Sequence, residues 1–253
     1  MSLFESLLIA LSTYSAVPVP QFEWNEKNMR YAICFFPAVG VLCGAALWLW
    51  AVLAQATGMS GVLFAAIAAC LPILVTGGIH MDGYLDTVDA LSSHQTREKK
   101  LEIMKDANCG AFAVIYGGVY LLAYAGFAYE VFTAGHILLL CPLFVLSRAL
   151  SGLCAVNLPN ARKSGMLCAF TSGVQRRTAT VALTLVGLAA AAGMVWMSPM
   201  VGGMAAVLSI ASTLAYRRFA MAQFGGVTGD TSGFFLQLCE LCGLIGVWIG
   251  GLL

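Results

Sequence analysis

Residues 77–91 read GGIHMDGYLDTVDAL. Asp82, Asp86 and Asp89 recur at intervals of four and three, a spacing that on a helix brings all three to one face across two turns. Like charges held that close raise one another's pKa, and a divalent cation is the usual remedy. Hard oxygen ligands on one helix face, with gaps left for water and phosphate, are how Mg2+ is held at phosphoryl-transfer sites. Asp82, Asp86 and Asp89 are therefore the expected metal ligands. Gly78 and Gly83 would let backbone come close to whatever binds there. His80 is a candidate base, phosphate ligand or metal ligand, with a structural ring as the competing reading. The competing reading of the carboxylates is a solvated helix end, and the lack of interleaved basic residues argues against it.

Three further segments carry polar groups. EIMKDANCG at 102–110 sets Asp106 beside Lys105 and just before the turn-forming Asn108 and Gly110. Asp106 could point back at the aspartates. Arg148, in LFVLSRALSG, is the one basic residue well inside an apolar run, with a diphosphate or a carboxylate as its natural partner. A structural ion pair with Glu240 is the alternative. QFGGVTGDTSG at 223–233 offers Gly226, Thr228, Gly229 and Asp230. Backbone N–H groups and hydroxyls in such a loop suit an anion, and a tight turn is an equal competitor.

The elements that must position these residues are membrane helices. Of 253 residues, 60% are hydrophobic and only 10% charged, against about 25% charged in a soluble domain. The expected fold is an all-α polytopic membrane protein in one domain. Runs of about 20 apolar residues near 31–56, 60–79, 110–130, 136–157, 178–197, 200–216 and 233–253 give seven spans, the second ending at the aspartate segment. Residues 3–17 are too short to cross and are expected to lie at the interface or re-enter. Their lack of a basic flank makes a signal peptide a poor reading. Apart from Arg148, the Lys and Arg residues fall in four regions: Lys27 and Arg30; Arg97 to Lys105; Arg162 to Arg177; Arg217 and Arg218. The connections near 57–59, 131–135 and 198–199 have none, which places the basic regions and the acids beside them in the cytoplasm. A net charge of +1 gives no reason to expect nucleic acid. The nine cysteines show no repeated spacing and read as small apolar residues.

Together these segments resemble cobalamin synthase, the adenosylcobinamide-GDP ribazoletransferase family of bacterial membrane enzymes. The likeness runs through VPVP, FFPAVG, TGGIHMDGYLDTVDAL, EIMKDANCG, SRALSG and GGVTGDTSG followed by Glu240. It implies that the ribosyl hydroxyl of alpha-ribazole, or of its 5'-phosphate, attacks the cobinamide-side phosphorus of adenosylcobinamide-GDP and expels GMP with Mg2+ present. It also implies a multi-pass protein of the bacterial inner membrane whose site faces the cytoplasm. On this reading Asp82, Asp86 and His80 would be catalytic. Gly78, Gly83, Lys105, Asp106, Arg148, Gly226, Thr228, Gly229 and Asp230 would bind substrate. An oligomer is left open. Two alternatives stand beside it. GIHMDGYLD fits half of the CDP-alcohol phosphotransferase motif, G-x-x-x-D-x-x-x-D, but the upstream half does not occur. An ion-coupled transporter would also carry acids among its spans, though nearer the midplane.

Overall fold

The structure is a computed structural model that describes residues 3–20, 22, 29–106 and 108–253. Lys27, one of the residues used to set the orientation, lies outside the described residues. The described residues form eleven α-helices: α1 (Leu3–Tyr14), α2 (Phe36–Thr57), α3 (Gly61–Val75), α4 (Ile79–Ser92), α5 (Arg97–Ile103), α6 (Ala111–Thr133), α7 (Leu140–Asn157), α8 (Met166–Ser172), α9 (Arg176–Met197), α10 (Pro199–Phe224) and α11 (Gly229–Leu252). Short 3-10 turns, Ala32–Phe35 and Ile137–Leu139, lead into α2 and α7.

Among the described residues six segments are long and apolar enough to cross a bilayer: Ala32–Thr57, Ala111–Thr133, Ile137–Asn157, Arg176–Met197, Pro199–Phe224 and Gly229–Leu252. The segment ending in α7 is the central one, with 67% of its apolar window buried inside the protein against 28% for α6 and α9. Small residues let its neighbours close in, as apolar solvent requires of helices that must pack without a hydrophobic driving force. A Cβ at Gly44 of α2 would lie 3.2 Å from Cys141 of α7.

The second expected span differs from the continuous helix that its hydropathy predicts. The chain breaks at Thr76–Gly78, and α4 leaves at 96° to α3. The cause is local. Gly77 and Gly78 both take left-handed backbone, φ 63° and 83°, which a helix of L-residues avoids. The Thr76 hydroxyl turns back to donate to the Pro72 carbonyl at 2.7 Å. The apolar part is thus α3, whose 15 residues reach about 22 Å, short of a bilayer's hydrocarbon core of about 30 Å, and the aspartates sit on a separate helix beyond the break. The N-terminal segment forms the 12-residue α1, which packs Ile9 and Tyr14 against Phe36 and Val39 of α2. The Ala16 N–H donates to Val75 at 2.8 Å, tying α1 to the break.

Candidate active site

Two glycines build the site by letting α4 touch α11. A Cβ at Gly83 would stand 2.8 Å from the backbone oxygen of Asp230, and one at Gly233 would stand 2.7 Å from that of His80. Backbone contact of this kind tolerates no side chain. It seats Asp230, at the first turn of α11, one residue along from Asp82. Two residues that lie about 150 positions apart in the chain therefore share one surface with Asp86.

The start of α11 is fixed from behind. The Val227 N–H donates to Pro159 at 2.9 Å and the Ala161 N–H donates to Val227 at 2.9 Å, so residues 159–161 and 227 pair like two short strands. Gly226 is required there because a side chain would run into the Pro159 carbonyl. Thr228 caps α11 reciprocally: its hydroxyl accepts from the Thr231 N–H at 3.1 Å while its own N–H donates to the Thr231 hydroxyl at 2.8 Å. Gly226 and Thr228, expected to bind substrate, thus have structural work first. Gly229 has open space beside it and lines a small cleft of about 70 Å³ with Arg162, Thr228 and Asp230.

Arg162 is the residue that sequence reasoning passed over. One of its guanidinium nitrogens donates to Asp230 Oδ2 at 2.8 Å and another to the Leu101 carbonyl at 3.1 Å. The Thr228 hydroxyl donates to the same Oδ2 at 3.5 Å, and among the described residues Oδ1 has no hydrogen-bond partner. In the sequence Arg162 is one more basic loop residue. The only hint was general: a carboxylate cluster needs a fixed cation nearby.

The carboxylates remain in excess over that cation. The Asp86 carboxyl is pushed up to about 6, first by burial, then by the charges of Asp82 and Asp230, with Arg162 opposing. Asp82 is exposed and Asp86 half-buried. Such a pair, with water and phosphate oxygens completing the shell, fits Mg2+, which seldom takes a closed cage of protein ligands. Among the described residues no group of three or more His, Cys, Asp or Glu side chains converges as a metal site. Asp89, expected as the third ligand, is engaged elsewhere: its carboxylate accepts from the Gly110 N–H at 3.0 Å and so fixes the start of α6.

The remaining candidates are dispersed. At 100° per residue His80 lies on the face of α4 opposite to the aspartates. Its ring is buried between Tyr14, 6.0 Å away and stacked, and Phe36, 5.6 Å away and edge-on. Lys105 and Asp106 are exposed, and among the described residues no hydrogen bond or ion pair joins either to α4. Asp106 closes a turn on itself. It accepts from the Asn108 N–H at 3.0 Å and side-chain amide at 2.8 Å, and these bonds hold its carboxyl below the usual range. Gly78 serves the break between α3 and α4. Arg148 is fully buried and paired with Glu240, which is the alternative that the sequence left open. Ser147 donates to the same Glu240 oxygen at 3.2 Å, and Arg148 also donates to the Phe144 carbonyl at 3.2 Å.

The sequence matches the family profile described as cobalamin-5-phosphate synthase over residues 6–248. This chain belongs to the cobalamin-5-phosphate synthase family. Three similar proteins carry the name adenosylcobinamide-GDP ribazoletransferase. One, from Lachnoclostridium phytofermentans, is 41% identical over 95% of this chain and 92% of its own length. A second, from Pseudomonas entomophila, is 34% identical over 94% and 96%. The third, from Desulfitobacterium hafniense, is 32% identical over 98% of each. No solved structure matches the chain. The span of the cobalamin-5-phosphate synthase match covers α4, Arg162 and the start of α11 together. It leaves the CDP-alcohol and transporter readings without support.

Proposed function

We propose that this chain is an adenosylcobinamide-GDP ribazoletransferase: it joins alpha-ribazole, or its 5'-phosphate, to adenosylcobinamide-GDP and releases GMP, a late step of cobalamin biosynthesis. The observation that carries the chemistry is the contact of α4 with α11, which assembles Asp82, Asp86 and Asp230 beside the cation of Arg162. Asp82 and Asp86 would hold Mg2+, which when bound neutralises the diphosphate and the departing phosphate. The ribosyl oxygen forms a bond to the cobinamide-side phosphorus as the bond from that phosphorus to the oxygen of GMP breaks. Its proton goes to a carboxylate, since His80 faces away. Asp230 fits that role: Arg162 and Thr228 both hold Oδ2 and leave Oδ1 to face the hydroxyl. Arg162 also supplies fixed positive charge where negative charge develops on the leaving group. We place the site on the cytoplasmic side of the bacterial inner membrane, because the basic residues 97–105, 162–177 and 217–218 surround the ends of these helices.

The test is direct. Protein purified into lipid nanodiscs, given adenosylcobinamide-GDP, alpha-ribazole and Mg2+, should release GMP and form a product containing both organic halves. GMP release that does not depend on the ribazole, or no release above protein-free controls, would overturn the assignment.

A further inference from the structure

A second polar feature lies away from the carboxylates, in a cleft of about 520 Å³ where α7, α9 and α10 meet. Its mouth holds Arg176 and Arg217, and its walls include Leu150, Leu153, Ile210 and Leu214. Among the described residues no acidic residue lines it. Arg176 is set in place: it donates to the Asn157 side-chain oxygen at 3.3 Å and to the Asn157 carbonyl at 3.1 Å, at the end of α7. Asn157 in turn is held by the Leu153 carbonyl at 3.0 Å and the Thr180 hydroxyl at 3.1 Å. Arg217 has neither an ion pair nor a hydrogen bond among the described residues.

We infer that this cleft binds an anionic phospholipid, its phosphate between Arg176 and Arg217 and one acyl chain along Leu150, Leu153, Ile210 and Leu214. The walls decide the class of ligand. Ile210 and Leu214 are 45% and 57% exposed on a helix apolar and long enough to span a bilayer, so acyl chains are what would cover them. Arg176 is the first residue of α9, and Arg217 lies two turns before the end of α10, from where its long side chain can reach a headgroup. A pre-oriented guanidinium is suited to a phosphate diester, and anionic leaflets draw such basic groups. None of the reaction's proposed residues lines the cleft, so the inference is independent of the proposed chemistry.

The experiment is lipid retention in native mass spectrometry, using detergent-purified protein and either phosphatidylglycerol or phosphatidylcholine with identical chains. Phosphatidylglycerol should be retained in preference, and Arg217→Gln should weaken its retention by about fivefold. Leu214→Trp, which fills the cleft without changing charge, should weaken it as well, while a thermal melt near that of the parent shows each variant folded. Equal retention of the two lipids would overturn the inference. So would phosphatidylglycerol binding that falls in Arg217→Gln but is untouched by Leu214→Trp, since that is surface attraction alone. Displacement of the lipid by millimolar inorganic phosphate would assign the arginines to a soluble anion instead.

Discussion

Two groups of arginine and carboxylate lie in this protein, and they differ in balance. Arg148 and Glu240 neutralise each other one for one inside the bundle, with no solvent exposure on either side chain. At the start of α11 one guanidinium, Arg162, pairs with Asp230 beside Asp86 and Asp82, and that pair is about one-fifth exposed. The matched pair serves to hold α7 against α11, although Arg148 Nε and Glu240 Oε2 are left without hydrogen-bond partners among the described residues. Carboxylates in excess at an accessible edge are not satisfied by the protein. We propose that they take a cation and the phosphates that a cation brings. Depth and charge balance, more than residue type, separate the structural arginine from the one for which we propose a part in the reaction.

The largest effect expected from this comparison concerns the balanced pair. Arg148→Ala should cost about 3–5 kcal/mol, because it strands the Glu240 carboxylate in the interior. Replacing both partners, as Arg148→Met with Glu240→Leu, should restore most of the thermal stability and with it the activity. A double variant that is stable yet inactive would place Arg148 in the chemistry after all. Next in size is Gly83→Ala. The new methyl meets the Asp230 backbone and pushes α4 from α11, so kcat should fall by about 10- to 100-fold, with a loss of about 1–3 kcal/mol of stability from the overpacking. If Gly83→Ala turns over normally, the contact does not set the spacing of the carboxylates.

Asp86 gives a pH-dependent check. Its carboxyl is raised from 3.8 to about 6 in the folded protein, so between those values the folded state binds more protons than the unfolded state. Its contribution is therefore fully present below about pH 4 and is lost as pH rises through about 6. Mg2+ binds the ionised form, so added Mg2+ should raise the melting temperature more at about pH 7.5 than at about pH 5. Equal shifts at both pH values would mean that the ion binds elsewhere. The smallest effect is expected for Asp89→Asn, which keeps an acceptor for the Gly110 N–H. Its activity should stay within about threefold of the parent, whereas Asp89→Ala should cost about 1–2 kcal/mol of stability. Loss of turnover in Asp89→Asn would return Asp89 to the metal site.

Much of this was legible in the residues. Apolar run length marks the spans well because the bilayer sets one length for all of them. The four- and three-residue spacing put Asp82 and Asp86 on one face whatever their surroundings. The bend before α4 was less visible, since hydropathy runs on past Val75 and only the paired Gly77 and Gly78 hint at a break. The fate of Asp89 and the use of Arg162 both depend on which distant backbone comes near, Gly110 in one case and the 159–161 pairing with Val227 in the other. Pattern within a single helix carries no record of such meetings. Arg148 and Arg162 look alike in sequence for the same reason: one partner lies 92 residues away and the other 68.

We propose that the unbalanced cluster, not the balanced pair, holds the reaction's metal. Its most direct test is the Mg2+ dependence of GMP release from adenosylcobinamide-GDP, measured side by side for the parent, Asp82→Asn and the Arg148→Met with Glu240→Leu double variant. Asp82→Asn should lose Mg2+ activation and fall by roughly 10²-fold or more, while the double variant should follow the parent's curve. A parental Mg2+ curve in Asp82→Asn, or its loss in the double variant, would contradict it.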